Sequence, residues 1–269
     1  YKMYLPPLPE QQKIASILTS VDTVIEKIQA QINKLKDLKK AMMQELLTRG
    51  IGHTEFKDSP VGSIPVVWVH CTFNEIIKEI IDFRGRTPKK LGMEWGGGNI
   101  RALSANNVKM GKVDFDKECY LASEELYEKW MTKGDVEKGD ILFTMEAPLG
   151  NVSLVPDDEK YVLSQRVILI KVNKSMITSP FLYQQLRSEN FQSQIVENST
   201  GSTAIGIQQK RLVKMFLVVP PFQEQQEIAS ILSSMDTHID EKQRKLQQTQ
   251  NLKKALMQDL LTGKVRVKV

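Results

Sequence analysis

Residues 6–48 read PPLPEQQKIASILTSVDTVIEKIQAQINKLKDLKKAMMQELLT, and residues 220–262 read PPFQEQQEIASILSSMDTHIDEKQRKLQQTQNLKKALMQDLLT. The two stretches align at an offset of 214 without a gap, and 24 of their 43 positions are identical. Chance does not produce a repeat of that fidelity, and it organises the rest of the chain. The prolines stand at the front of each copy, where a helix tolerates them. About 38 residues rich in Gln, Lys, Leu, Ala and Glu then follow without Pro or Gly. At 1.5 Å per residue such a helix is roughly 57 Å long, too long for a compact domain and suited to pairing with another helix.

Heptads agree with that reading. In the first copy Ile14, Val21, Ile28, Leu35 and Met42 fall seven apart, and Leu18, Ile25, Ile32 and Leu46 form a second row broken at Lys39. In the second copy Ile228, Met235 and Leu256 hold one row, interrupted by Lys242 and Thr249, while Leu232, Ile239, Leu246 and Leu260 hold the other. Spacing that alternates three and four puts both rows on one seam, and polar seam positions trade stability for register.

Between the copies the composition changes. Residues 50–219 hold most of the Gly, Pro and aromatic residues, and short apolar runs alternate with turns. Gly139-Asp140 leads into ILFTM, Pro156-Asp157-Asp158 precedes YVLSQRVILIKV, and LVKMFLVVPP closes the stretch; these read as strands. TFNEIIKEI and PFLYQQLRSENFQSQIV read as short helices. The fold class is mixed α/β. Helical repeats at 1–49 and 220–269 flank a globular domain at 50–219, and the two helices return antiparallel to each other as a coiled coil.

The chemistry-bearing residues are few. Cys71 and Cys119 lie far apart without CxxC spacing, which excludes a disulfide framework and fits a reducing cytoplasm. His53, His70 and His238 have no ligand-like spacing, and His70 beside Cys71 reads as structural because adjacent side chains point apart, so no metal site is expected. No 18-residue apolar run is present. P-loop, HExxH, EF-hand and GxSxG patterns are all missing. Val219-Pro220-Pro221-Phe222 has the shape of the Asn/Asp-Pro-Pro-aromatic motif of adenine-N6 methyltransferases, but valine accepts no hydrogen bond. The prolines there read as strand-to-helix punctuation, and Glu124, Glu125, Asp157 and Asp158 as a solvated helix face and a turn. The net charge of +5 permits a polyanionic partner without demanding one.

With these residues in view, the chain resembles the Type I restriction–modification specificity subunits. The repeat PPxxEQQxIAxIL is similar to that family's conserved region. GRTPKK at 85–90 with Glu94-Trp95-Gly96 resembles the opening of its target recognition domain, as do VEKGDILFTMEAPLGNVSLV at 136–155 and Ser202, Thr203 and Ile207 ahead of the second repeat. The resemblance implies that the globular domain reads one half of a split double-stranded DNA target and that the paired helices set spacing and dock methyltransferase subunits. Restriction subunits join through the complex. S-adenosylmethionine, ATP and Mg belong on those partners, so no cofactor is expected here and no catalysis by this chain. One recognition domain between two repeats departs from the family layout of two. A missing first domain or a second copy of this chain would supply the other, and the start at Tyr1 suggests a piece of a longer protein. A coiled-coil scaffold without DNA binding and an enzyme with an unrecognised site are the rival readings.

Base edges are read by forked donors and acceptors, and phosphates are held by positive and small polar groups. The candidate DNA-binding residues are Arg84, Arg86, Thr87, Lys89 and Lys90 in a first loop, then Arg101, Ser104, Asn106, Asn107 and Lys109. Ser199, Thr200, Ser202, Thr203, Gln208, Lys210 and Arg211 form a third stretch. Residues 49–219 carry 22 Lys/Arg against 21 Asp/Glu, so any basic face must be local. Because Leu18 and Ile25 sit on the seam, replacing either with Asp is expected to cost several kcal/mol of helix pairing. Thermal unfolding followed by far-UV circular dichroism measures it, and an unchanged transition in both variants would refute the pairing.

Overall fold

The computed structural model describes residues 6–201 and 205–268. The chain falls into two compact units, Tyr1–Met42 with Ile231–Val269, and Met43–Ser230. The first is built from two long helices, Leu8–Thr48 and Phe222–Leu261. No helix among the described residues is long and apolar enough to cross a membrane.

Polar contacts between the helices give their direction. Lys253 pairs with Asp22 and Lys39 with Asp236. Lys242 Nζ donates to Gln31 Oε1 at 2.9 Å, and Arg266 Nη2 donates to Glu10 Oε2 at 2.7 Å. Partner numbers fall as helix numbers rise, so the pair is antiparallel. The repeat makes Asp22 the counterpart of Asp236 and Lys39 the counterpart of Lys253, so one ion pair occurs twice with its roles exchanged. A parallel, in-register pairing would have set Asp against Asp and Lys against Lys.

Lys39, the break in the apolar row, is 6% exposed, and a buried ammonium is tolerated when a carboxylate meets it. Ile14, Ile28, Ile32, Leu232, Met235, Ile239 and Leu260 are buried. Leu18, Val21, Ile25, Leu35, Leu246 and Leu256 are half-buried, as befits a two-helix ribbon whose seam has open flanks. Met42 and Leu46 are half-buried too, and Ile228 is buried within the second unit.

The Glu of each EQQ motif also recurs in one role. Glu10 accepts from Arg266 Nε at 2.8 Å and from the backbone N–H of Val267 at 3.2 Å. The hydrogen bond from Arg266 outweighs desolvation and holds the Glu10 carboxyl below the usual carboxylate range. Its counterpart Glu224, in the second unit, accepts from the Ile51 backbone N–H at 2.9 Å and from Trp68 Nε1 at 2.8 Å, with His53 Nε2 at 2.9 Å. Trp68 is fully buried. Gly50, at φ 69°, admits no side chain here, because a Cβ would lie 2.4 Å from Glu224 Oε1.

The second unit is a mixed α/β domain. Its main sheet is antiparallel, with strands in the order Val152–Leu154, Ile141–Thr144, Val167–Val172 and Ile77–Asp82. A second sheet sets Tyr161–Leu163 parallel to Ile100–Leu103, with Tyr120–Ala122 antiparallel on the other side. Val69–Thr72 pairs with Phe216–Val219. Residues of both larger sheets share one core with Leu126 and Trp130 of the helix Glu124–Trp130, and Trp130 Nε1 donates to the Leu163 carbonyl at 2.9 Å. The PFLYQQLRSENFQSQIV stretch forms two helices, Ser179–Leu186 and Glu189–Glu197, divided where Ser188 caps the second.

Two stretches depart from their sequence reading. TFNEIIKEI keeps only one helical turn, Phe73–Ile76, before the chain becomes the strand Ile77–Asp82. Ile76, Ile77, Ile80 and Ile81 have helical spacing, but β-branched residues suit a strand, and pairing with Val167–Val172 overrides the period. YVLSQRVILIKV is two strands in different sheets, broken at Arg166 with φ 68°. In the helical unit, Asp236→Ala withdraws a carboxylate from a buried lysine and is expected to cost roughly 2–3 kcal/mol. Asp22→Ala acts on the more exposed copy of the pair and should cost under about 1 kcal/mol. Chemical denaturation of both variants measures the difference.

Candidate nucleic-acid interface

Four loops of the second unit carry the polar candidates, and local hydrogen bonds decide which side chains are available. In the first, Arg84 donates to Asp82 through Nε at 2.9 Å and Nη2 at 2.6 Å. Burial works to raise the Asp82 carboxyl, but the hydrogen bonds and charge of Arg84 more than offset it and hold the carboxyl low. Arg86 turns inward: its guanidinium lies 5.3 Å over the Phe83 ring and donates to the Trp130 carbonyl and to Thr132 Oγ1. Thr87 precedes the single turn Pro88–Leu91 and is half-buried. Lys90 Nζ folds back to the Gly85 carbonyl at 2.6 Å, and Lys89 is exposed.

The second loop is held by its own polar residues. Asn107 is fully buried. Its Oδ1 accepts from Ser104 Oγ at 3.0 Å, and its Nδ2 faces the carbonyls of Lys117 and Glu118 at 3.4 Å. Asn107 and Ser104 therefore shape the turn, leaving Asn106 exposed and Lys109 half-buried. Arg101 is paired with Glu159 at 3.1 Å and sits 4.9 Å over the Phe115 ring.

The remaining loops converge. Thr200 and Gly206 exchange backbone hydrogen bonds at 2.9 and 3.0 Å, the Ile207 N–H donates to the Met145 carbonyl at 3.0 Å, and the Met145 N–H donates to the Arg166 carbonyl at 2.9 Å. These bonds lace three segments around an open cleft of about 350 Å³, lined by Arg84, Glu146, Thr200, Gly206, Gln208 and Gln209 among others. Arg84 and Gln208, distant in sequence, are thus brought together. Among the described residues Arg101, Ser104, Asn106, Asn107 and Lys109 do not line this cleft. Lys210 is exposed, and Arg211 Nη1 donates to the Asn198 carbonyl at 3.1 Å. Ser202 and Thr203 lie outside the described residues.

Glu146, Arg166 and Gln209 are absent from the sequence reading. The polar triplet Ser164-Gln165-Arg166 inside an apolar run was the available signal, since it marks a turn. The other chemistry-bearing groups are occupied structurally. Along Val69–Thr72 His70 is exposed and Cys71 buried, and burial, with Glu75 nearby, pushes the Cys71 thiol up to about 11. Val219 is buried in its strand, and the Pro220 carbonyl accepts from Gln225 Nε2 at 2.9 Å. Pro220-Pro221 therefore starts a helix.

The second unit is thus a mixed α/β domain with a polar, loop-built cleft, joined in sequence to two repeated helices. The family model for the Type I restriction modification DNA specificity domain matches residues 1–37 and 68–251, and the chain belongs to that family. It is 32% identical over 99% of its length to the Type I restriction enzyme MjaVIII specificity subunit of Methanocaldococcus jannaschii, covering 63% of that protein. The Type I restriction enzyme EcoBI specificity subunit of Escherichia coli is 23% identical over 88% of the chain, which covers 52% of that protein. The chain thus spans about three-fifths or less of these relatives. In fold it is similar to the HsdS subunit from Thermoanaerobacter tengcongensis, with a TM-score of 0.61 and 16% identity over 97% of this chain and 60% of that one. The S subunit from M. genitalium gives a TM-score of 0.59 at 15% identity, over 94% of this chain and 61% of that one.

The hydrogen bonding separates the basic residues into two groups. Arg86→Ala should lower the thermal midpoint, because it removes an inward guanidinium. Lys89→Ala and Lys210→Ala should leave the midpoint alone, and each should reduce the slope of log affinity against log salt by about one if it meets a phosphate. Melting curves and salt titrations of DNA binding check the division.

Proposed function

We propose that this chain is the DNA-reading part of a Type I restriction–modification complex and performs no chemistry itself. Residues 50–219 act as a target recognition domain that reads one half of a split double-stranded target. The paired helices dock methyltransferase subunits, and restriction subunits join through the assembled complex. S-adenosylmethionine, ATP and Mg are held by those partners. The other half-site falls to a second recognition domain, carried on a longer chain or on a second copy of this one.

The observation that carries the reading is the reach of the family match, which runs through the helical repeat and through the strands that hold the cleft. Donors and acceptors in that cleft suit base edges better than a small apolar ligand: the Gln208 and Gln209 amides can fork, and Glu146 can accept. A near-neutral domain that binds DNA through local basic loops should lose affinity steeply with salt. Selection from random duplex DNA, with the cognate methyltransferase present, should recover a fixed half-site. The chain alone, supplied with S-adenosylmethionine, should methylate nothing. Robust methyl transfer by the chain alone would refute the non-catalytic reading, and absence of any enriched sequence would refute DNA reading.

A further inference from the structure

We propose that Arg166 reads a guanine edge from beside the cleft, with Glu146 as the positioning residue for its guanidinium; this rests on the DNA-recognition reading above. Arg166 has φ 68° and, with Ala147, is one of two non-glycine positive-φ residues among those described. Left-handed backbone favours Gly or Asn and penalises a long side chain. The turn has no freedom to relax, because its neighbours are tied on both sides. The Ser164 N–H donates to the Leu103 carbonyl at 2.7 Å, the Ala105 N–H to the Gln165 carbonyl at 3.2 Å, and the Met145 N–H to the Arg166 carbonyl at 2.9 Å. An arginine at a backbone angle where glycine would fit without strain points to a use for its side chain.

The side chain is also placed for use. It is half-exposed and meets Glu146, a cleft-lining residue, with Nε 3.6 Å from Oε1. That contact is longer than a hydrogen bond, so the guanidinium is directed without being committed. Arg84 is in the opposite condition, with its fork bonded to Asp82 on two nitrogens. Arg166, beside the cleft, therefore has a fork to offer where Arg84 does not. Guanine presents O6 and N7 as paired acceptors in the major groove, which suit two parallel donors. A lysine at this position would keep the charge and lose the fork.

The test is selection from a random duplex library by the full chain and three variants, followed by sequencing and melting curves. Arg166→Gly removes the side chain where the backbone favours glycine, so its melting temperature should equal or exceed the parent's. The parent motif should survive except at one guanine, where about ten- to hundredfold discrimination disappears. Arg166→Lys should lose the same guanine preference while keeping overall affinity within about threefold, since lysine preserves the charge. Glu146→Ala should weaken the preference at that position alone. An intact motif in Arg166→Gly overturns the proposal, and so does full guanine preference in Arg166→Lys, which would mark a phosphate contact. A parent chain that enriches no motif overturns the DNA-recognition reading as well.

Discussion

The Asp22–Lys253 and Lys39–Asp236 ion pairs set the direction in which the two long helices run against each other. Two helices of nearly the same sequence bring the same charges to their seam, and those charges lie 17 positions apart, on the order of 25 Å along each axis. Side by side in parallel, the copies would oppose like charges. Run antiparallel, each aspartate meets the other copy's lysine. The apolar rows alone would tolerate other registers, because leucine and isoleucine pack against one another with little regard for identity. A lysine buried to 6% exposure does not, since its charge is tolerated there by the carboxylate that meets it. The consequence is an approximate twofold relation between the helices.

A second use of the repeat lies at the helix starts. Glu10 and Glu224 each gather backbone and side-chain donors from beyond the end of the other repeat, residues 266–267 in one case and 51–53 in the other. Glu224 also takes the indole N–H of the fully buried Trp68, so the entry into the globular unit is fixed by one carboxylate.

Within the globular unit, backbone hydrogen bonds do what side-chain packing does elsewhere. The loops around the cleft are exposed, yet Met145, Arg166, Thr200, Gly206 and Ile207 are joined carbonyl to amide. Arg86 and Asn107, plausible as DNA contacts by residue type, are bonded inward and hold structure instead. Charge alone could not make this separation, because the domain is nearly neutral.

Proline placement, the heptads and the 214-residue offset were legible in the sequence because a helix's period and its termini are local properties. So were the strands at 141–144, 161–163, 167–172 and 216–219 and the missing catalytic signatures. The family resemblance was legible too, through motifs that survive as strings. The conversion of Ile77–Asp82 from helix to strand was not, because its isoleucines fit either period and only the partner strand Val167–Val172 decided between them. Nor was the cleft, since Arg84, Glu146, Thr200 and Gln208 meet only when three segments distant in sequence fold together. The polar triplet around Arg166 marks a turn in the sequence, but its left-handed backbone angle and its place beside Glu146 depend on segments distant in the chain. Periodicity is written along the chain, whereas a recognition surface is written across it.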